Sequence, residues 1–302
     1  HISTTEYDQS GNSVRELTAT NRATALAAGS TSATVAAQLD TENLYSSDGT
    51  ELTDSYGPAH QAMAAGSIQT IRTHTHDVYD QGAPNSDTDA NGNPYQLVTS
   101  HTVSASLGTS VPGSNDVDSR TTNSVYNKAS DNEGWTLHTP LQTVTDPGTG
   151  HLNLTKTIAF NEDASLYGGE PLPISSSLPS DTAATGAGTT KTIYYTAGAN
   201  SADGSCGNQP VWADLICKTV PAAQPNTAGL ASLPVTTYTY NVYLQPLTQT
   251  ETYTAADGST ATRTTTTTYD AAGRTTRSAI STTGTGVASA VAPTKIVYSS
   301  TT

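Results

Sequence analysis

Two histidines two residues apart open the question of chemistry. In IRTHTHDVYD, His74 and His76 fall on one face of any strand, with Asp77 on the other. Two imidazoles on one face are the beginning of a metal site. The plainer reading is a pair of polar strand residues. The segment Asp87-Thr-Asp89-Ala-Asn91-Gly92-Asn93 has the oxygen spacing of a calcium loop, with a glycine where the turn is sharp. Its twelfth position is Val98 rather than a carboxylate, and Pro94 follows directly. It therefore reads first as an Asx-rich surface turn. Ca²⁺ on Asp87, Asp89 and Asn91 is the alternative, and no other cofactor is expected.

Other catalytic constellations are missing from the text of the chain. Asp40 with Glu42, and Glu162 with Asp163, are carboxylate neighbours. Glycoside hydrolysis needs a pair held across a cleft, and adjacency in sequence does not supply one. The seven histidines form no triad order, and there is no Gly-x-Ser-x-Gly elbow, phosphate loop or dinucleotide fingerprint. Asp146-Pro147-Gly148-Thr149-Gly150 reads as a turn rather than a self-cleaving aspartyl site. The expectation is a protein that is not an enzyme.

Composition narrows the class. Charged residues are 13% of the 302, hydrophobic residues 34%, and roughly one residue in five is Thr. Low hydrophobicity favours disorder when β-branched and aromatic residues are scarce. Here Thr, Val and 15 Tyr are plentiful, and they suit a half-buried pleated surface. The net charge of −14 and the lack of a Lys/Arg cluster exclude a phosphate-backbone partner, so no nucleic acid is expected. No apolar run reaches the length of a membrane span. The chain opens at His1 without Met, which reads as a processed product or excised fragment; the lack of a leader there says nothing about secretion. Cys206 and Cys217, closely spaced in an acidic, Thr-rich chain, read as a disulfide loop from an oxidising compartment, with two reduced thiols as the alternative.

The elements follow from periodicity. Short Thr/Val/Tyr runs at 235–243, 246–254, 260–269, 274–281 and 294–300 alternate with turn residues, Asp257-Gly258 among them. They predict consecutive antiparallel hairpins. Further strands are expected at 2–7, 12–18, 68–79, 96–107, 119–126, 135–145, 152–160 and 190–196. Residues 19–38, rich in Ala, predict a helical insertion split at Gly29-Ser30, and 210–216 a short helix. Residues 168–190 predict a long flexible loop, and 203–218 a Cys-closed insertion. Trp135, Trp212, Tyr194-Tyr195 and the Tyr238/Tyr240/Tyr243 stripe read as cross-strand aromatic packing, with a sugar-stacking surface as the alternative.

A short motif recurs. Residues 269–274 read YDAAGR, giving Tyr269, Asp270, Gly273 and Arg274. Residues 7–15 read YDQSGNSVR, giving Tyr7, Asp8, Gly11 and Arg15. Degenerate copies follow at Tyr79-Asp80, Tyr126-Asn127, Phe160-Asn161 and Tyr240-Asn241. The tyrosine ends a strand with a large planar contact and a hydroxyl free to find a partner. The Asp or Asn starts a turn, and Gly takes a positive φ. The Arg re-enters the next strand, and stacked copies are expected to bring Tyr beside Tyr.

These residues, with stretches such as THTHDVYDQGAP, NEGWTLHTPLQTVTDPGTGHLNLTKTIAFNED and TTTTTYDAAGR, make the whole chain resemble the Rhs/YD-repeat family in its actinobacterial branch. The resemblance implies a mainly β fold in which antiparallel hairpins stack as YD repeats into a curved sheet or open spiral shell, as in toxin-complex cocoons and the teneurin barrel. It implies one continuous shell segment over 1–302, extracellular or at the cell surface. It also implies a structural role: enclosing, presenting or delivering an associated C-terminal toxin or effector polypeptide, with neighbouring YD-repeat segments or that polypeptide as partners. A surface adhesin that binds glycans on the same scaffold is the second expectation.

Overall fold

The long Thr/Val runs become long strands. The computed structural model describes residues 2–112, 115–127, 132–225, 227, 229–284 and 291–299, with the backbone alone for Ser86 and Asp87. The protein is mainly β, 44% strand against 13% helix, and its strands pair antiparallel into stacked hairpins. It divides into two compact units, His1–Thr155 and Lys156–Thr302.

The first unit runs β1 (Thr4–Tyr7), β2 (Ser13–Leu17), α1 (Ala19–Ala27), α2 (Ser32–Leu39), β3 (Thr41–Tyr45), β4 (Leu52–Tyr56), β5 (His60–Ala64), β6 (Ser67–Tyr79), α3 (Pro84–Asp87), β7 (Val98–Leu107), β8 (Asp116–Val125), α4 (Glu133–Leu137) and β9 (Gln142–Thr145). Neighbours pair in order, with one exception. The 13-residue β6 is long enough to pair with β5 along its first half and β4 along its second. The second unit is a plain meander: β10 (Leu154–Phe160), β11 (Pro173–Ser177), β12 (Thr189–Tyr194), β13 (Ile216–Pro221), β14 (Val235–Tyr240), β15 (Pro246–Thr254), β16 (Thr260–Tyr269), β17 (Thr275–Thr283) and β18 (Thr294–Lys295).

Three expectations need correction. The 135–145 stretch is not one strand. Trp135 is 1% exposed, packed on the rings of Tyr95 and Tyr126, and a short helix, α4, delivers it. A Cβ on Gly134 would lie 2.4 Å from the Tyr126 carbonyl oxygen, so only glycine fits beneath that tryptophan. The 168–190 stretch is not a single long loop. It contains β11, whose three serines alternate along a ladder between β10 and β12. Residues 210–216 form only a 3₁₀ turn at Pro210–Trp212 before β13 begins. Residues 19–38 do form helix, α1 and α2, joined through a 3₁₀ turn at Gly29.

The interior holds polar groups beside apolar ones, and Arg72 is the extreme case at 0% exposure. A guanidinium has five N–H donors, and Arg72 places all five. Nε donates to the Thr109 carbonyl (2.9 Å), and Nη1 to the carbonyls of Asp40 (2.9 Å) and Gly57 (3.1 Å). Nη2 donates to the Ala37 carbonyl and to Asp40 Oδ1 (3.0 Å). Asp40, 1% exposed, caps the C-terminus of α2, and its second oxygen takes Arg15 Nε from β2. Two cations thus neutralise a carboxylate at the unfavourable end of a helix.

We expect Arg72→Met to lower the free energy of unfolding by about 3–5 kcal/mol in a urea titration, because Asp40 is then left buried without its main partner. Combining it with Asp40→Leu is expected to recover part of that loss. A double variant no better than the single would show that the carbonyl contacts, not the charge pair, dominate.

Candidate functional site

At three of its copies, Asp8, Asn241 and Asp270, the repeat motif has one geometry. At Asp270 the N–H donates to the Arg274 carbonyl, and Oδ1 accepts from the N–H groups of Ala272 and Arg274, both at 2.9 Å. The N–H of Gly273, at φ +78°, returns to the Asp270 carbonyl. Asp8 makes the same set with Ser10, Gly11 and Asn12, and Asn241 with Tyr243, Leu244 and Gln245. These hydrogen bonds, led by the backbone N–H of Asn12 and of Arg274, hold the Asp8 and Asp270 carboxyls below the usual range. Arg274 does not go on to a carboxylate in the next strand. It pairs with Asp270 itself (2.8 Å) and lies 4.3 Å over the Tyr298 ring. Its counterpart in the first copy is Asn12, bonded to Asp8 Oδ2, whereas Arg15 serves Asp40.

Asp89 makes this same turn, with Oδ1 accepting from Asn91 and Asn93 at 2.8 Å. The calcium reading thus falls on a fourth copy of the motif loop, whose carboxylate is already committed to N–H groups. Asp87 ends α3, and its side chain lies outside the described residues. Asp80 and Asn161 close longer loops in a related way. Asp80 accepts from the N–H groups of Gln96 and Leu97, both at 2.8 Å, and the Asn161 amide donates to three carbonyls of its own loop. Asn127 is exposed. Asp146 likewise forms a turn, bonded to Leu152 N–H and His151 Nδ1.

The tyrosines show what the spacing could not. A register shift precedes the aromatic residue at Tyr7, Tyr45, Tyr79, Phe160, Tyr194, Tyr240 and Tyr269. Such a bulge re-aims the side chain. The hydroxyl then donates to the first carbonyl of the preceding paired strand: Tyr45 to Ser13 (3.3 Å), Tyr79 to Leu52 (3.0 Å), Tyr194 to Pro173 (2.8 Å), Tyr240 to Ile216 (2.9 Å) and Tyr269 to Pro246 (2.8 Å). Tyr126 and Tyr298, just beyond their strands, do the same to Val98 and Thr275. The motif tyrosine is a latch to a neighbouring strand's backbone rather than a partner for the next copy's ring. Tyr45 and Tyr194 escaped the sequence pattern because no Asp or Asn follows them; Tyr194 closes a Thr/Ile run, whereas Tyr45 ends the mixed segment TENLY and has no such cue. Burial pushes the Tyr240 hydroxyl up to about 12, so this latch keeps its proton into strong alkali.

Cys206 and Cys217 are joined as a disulfide. They sit in a buried cluster with Tyr195 and Tyr240, against which Trp212 and Tyr238 pack. Trp212, partly buried, lies 5.1 Å from the Tyr195 ring and 6.2 Å from that of Tyr240, so this aromatic group packs with the core. Tyr243 stands apart, 80% exposed in the loop between β14 and β15. Lys218 and then Ser205 hold the Asp203 carboxyl at about 2 beside the disulfide.

His74 and His76 share a face with Asp54, which lies opposite His76 in the β4–β6 register. His76 Nδ1 is 2.8 Å and His74 Nε2 3.0 Å from Asp54 Oδ1, and His74 Nδ1 is 2.5 Å from Asp116 Oδ2. The Tyr56 ring stacks on His74 at 4.0 Å and 8°. Partial burial, the largest single influence, would raise both carboxyls, but the hydrogen bonds together outweigh it, from His74, His76 and Thr53 at Asp54 and from His74, Ser104 and Ser106 at Asp116, and both lie below their usual range. Asp77, on the opposite face, pairs with His101. Asp40 is locked by arginines. Burial and the Asp40 charge raise the neighbouring Glu42 carboxyl.

No family model matches the chain, and no curated protein matches it. No helix among the described residues is long and apolar enough to cross a membrane, which says nothing of a β-barrel.

Tyr240→Phe and Tyr269→Phe are each expected to cost about 0.5–1.5 kcal/mol, with Tyr240→Phe the larger. Tyr7→Phe should be silent in the same denaturant titration, because its hydroxyl has no latch partner among the described residues. The Asp203 carboxyl is depressed when folded, so its stabilisation is complete above the unfolded value near 4 and lost as pH falls toward about 2. Lys218→Met should reduce that acid-range loss of stability, leaving the smaller part that Ser205 supports, read by near-UV circular dichroism.

Proposed function

We propose that the chain is a non-enzymatic structural segment of a β-shell of the Rhs/YD-repeat kind, secreted or at the cell surface, that encloses, presents or delivers an associated polypeptide. The observation that carries this reading is the latch. Seven tyrosine hydroxyls repeat one bond at strand ends in both units, at 2.8–3.3 Å. A device repeated from hairpin to hairpin suits a wall that grows by adding strands, and no group in it is set up for catalysis. The disulfide fits an oxidising compartment.

The edge supports the same reading. Every residue of β1 is exposed, and among the described residues its register is set against β2. Tyr7 has the bulge and the Asp8 turn of the other copies, yet it is 65% exposed. The first carbonyl of an incoming antiparallel strand would complete it. A neighbouring YD-repeat segment is therefore the partner this edge suits; the toxin or effector cargo comes with the resemblance alone.

The test is amide hydrogen exchange across Thr4–Tyr7, with and without a synthetic hairpin carrying residues 246–283. Shell assembly predicts slowed exchange in β1, weakened by Tyr7→Phe. Unchanged exchange at saturating hairpin would overturn the edge reading. A glycan array tests the adhesin alternative. Saturable binding abolished by Tyr243→Ala, which leaves the core intact, would favour an adhesin instead.

A further inference from the structure

His74 has a proton problem. A neutral imidazole has one N–H and one lone pair, yet both ring nitrogens of His74 face carboxylate oxygens, Asp116 at 2.5 Å and Asp54 at 3.0 Å. With the proton on Nδ1 toward Asp116, the Nε2 lone pair points at Asp54. The same Asp54 oxygen also faces His76 Nδ1 at 2.8 Å. Something positive belongs between these three atoms: an extra proton or a metal ion.

The geometry points to a divalent transition-metal site of the zinc class, with His74 Nε2, His76 Nδ1 and an Asp54 oxygen as ligands and Asp116 as the anchor of the His74 ring. The three ligand atoms all lie within 4.8 Å of one another. Tetrahedral Zn²⁺ with bonds of about 2.0–2.1 Å needs ligand atoms about 3.3 Å apart. The two nitrogen-to-Asp54 distances, 2.8 and 3.0 Å, lie just under that value, and the two imidazoles, held within the 4.8 Å limit of the cluster, would close on the ion by side-chain rotation. Two imidazoles and one carboxylate suit zinc or its neighbours better than Ca²⁺ or Mg²⁺, which prefer oxygen alone.

The surroundings are built rather than incidental. The His74 side chain is only 8% exposed, clamped between the Tyr56 ring and the two carboxylates. Ser104 Oγ, across the β6–β7 ladder, donates to the same Asp116 oxygen at 3.0 Å. A carboxylate holding the far nitrogen of a ligating histidine fixes its tautomer and raises its basicity. His76 is 47% exposed and leaves a side open for a fourth ligand from solvent. The bound ion would join β4 to β6 through side chains, as the latch joins strand ends through hydroxyls.

The test uses the full chain, stripped with a chelator that is then dialysed away, and titrates it with Zn²⁺ alone by calorimetry near neutral pH. One ion per chain is expected. Asp116→Asn should keep that stoichiometry and weaken binding about 10–100-fold. His76→Ala, at the exposed ligand, should leave the far-UV spectrum intact and abolish the one-to-one isotherm. His101→Ala and His151→Ala, histidines of other aspartate pairs, should change nothing. Co²⁺ should give the absorption of a tetrahedral centre. No saturable Zn²⁺ binding, or binding that survives His76→Ala unweakened, would overturn the proposal. So would long-range ¹H–¹⁵N spectra showing both His74 nitrogens protonated and unmoved by Zn²⁺, which would make the cluster a proton-bridged one.

Discussion

The first unit depends on five hydrogen bonds from one guanidinium. Arg72 gathers the end of α2, the break between β4 and β5 at Gly57, and the turn after β7 at Thr109. Those segments are distant in sequence, and loop closure between them is costly unless something buried rewards it. An unpaired guanidinium in that position would be severely destabilising, which ties β6 to the register that places its five donors. A slip of one residue would turn Arg72, His74 and His76 to the other face together. The register that serves Arg72 also sets Asp54 opposite His76 and Tyr56 opposite His74. The candidate metal ligands are thus placed by an ion pair that touches none of them.

A chain with 34% hydrophobic residues has little apolar surface to bury on each strand. Its sheets are held instead by many modest polar contacts. Thr102–Thr121, Thr239–Thr248, Thr250–Thr264 and Thr262–Thr283 form hydroxyl pairs across neighbouring strands at 2.5–3.1 Å. Each contributes on the order of the cross-strand pairs known to tune sheets, roughly 0.2–1 kcal/mol. No single pair fixes register, because one Thr resembles the next. The tyrosines supply what the threonines lack, since a bulge and a hydroxyl occur at one defined end of a strand. In the second unit they form a row, in which Ile216 pairs with Tyr194 and accepts from Tyr240, and Pro246 pairs with Tyr240 and accepts from Tyr269.

Much of this was legible in the sequence, and the rest failed for identifiable reasons. The hairpins from 235 to 283 announced themselves through alternating Thr and Tyr with Asp-Gly and Ala-Gly turns, which are local signals. The turn role of Asp270 was equally local. By contrast β3, β4 and β5 read TENLY, LTDSY and HQAMA, five residues each of mixed propensity, and pairing alone makes them strands. β11 hid in a Pro- and Ser-rich stretch because its side chains are small and its partners far away. His74 and His76 were visible as a pair. Asp54 and Asp116, 20 and 42 residues from His74, were not, since their approach is a product of register. Asp89 was legible as an Asx turn, the reading its sequence favoured over a calcium loop of the same oxygen spacing, because the turn is made by residues within four of it.

The latch also explains where the chain tolerates insertion. The residue after the aromatic donates its N–H to the carbonyl just before the next strand, and it does so whatever lies between. Asp8 reaches Asn12, Ser46 reaches Glu51, Asn241 reaches Gln245 and Asp270 reaches Arg274; Asp80 reaches Leu97, Asn161 Leu172 and Tyr195 Leu215 in the same manner. The short and the long loops are closed by one bond and flanked by one bulge. Lengthening a loop whose ends are already pinned costs little more entropy. Insertions such as the Asp89 turn, the Asn161 loop and the disulfide loop therefore sit at the aromatic, bulged end of their hairpins without disturbing the ladder behind them. A sheet built this way separates two tasks, with strands and latches making the ladder and the inserted loops left free to vary in chemistry.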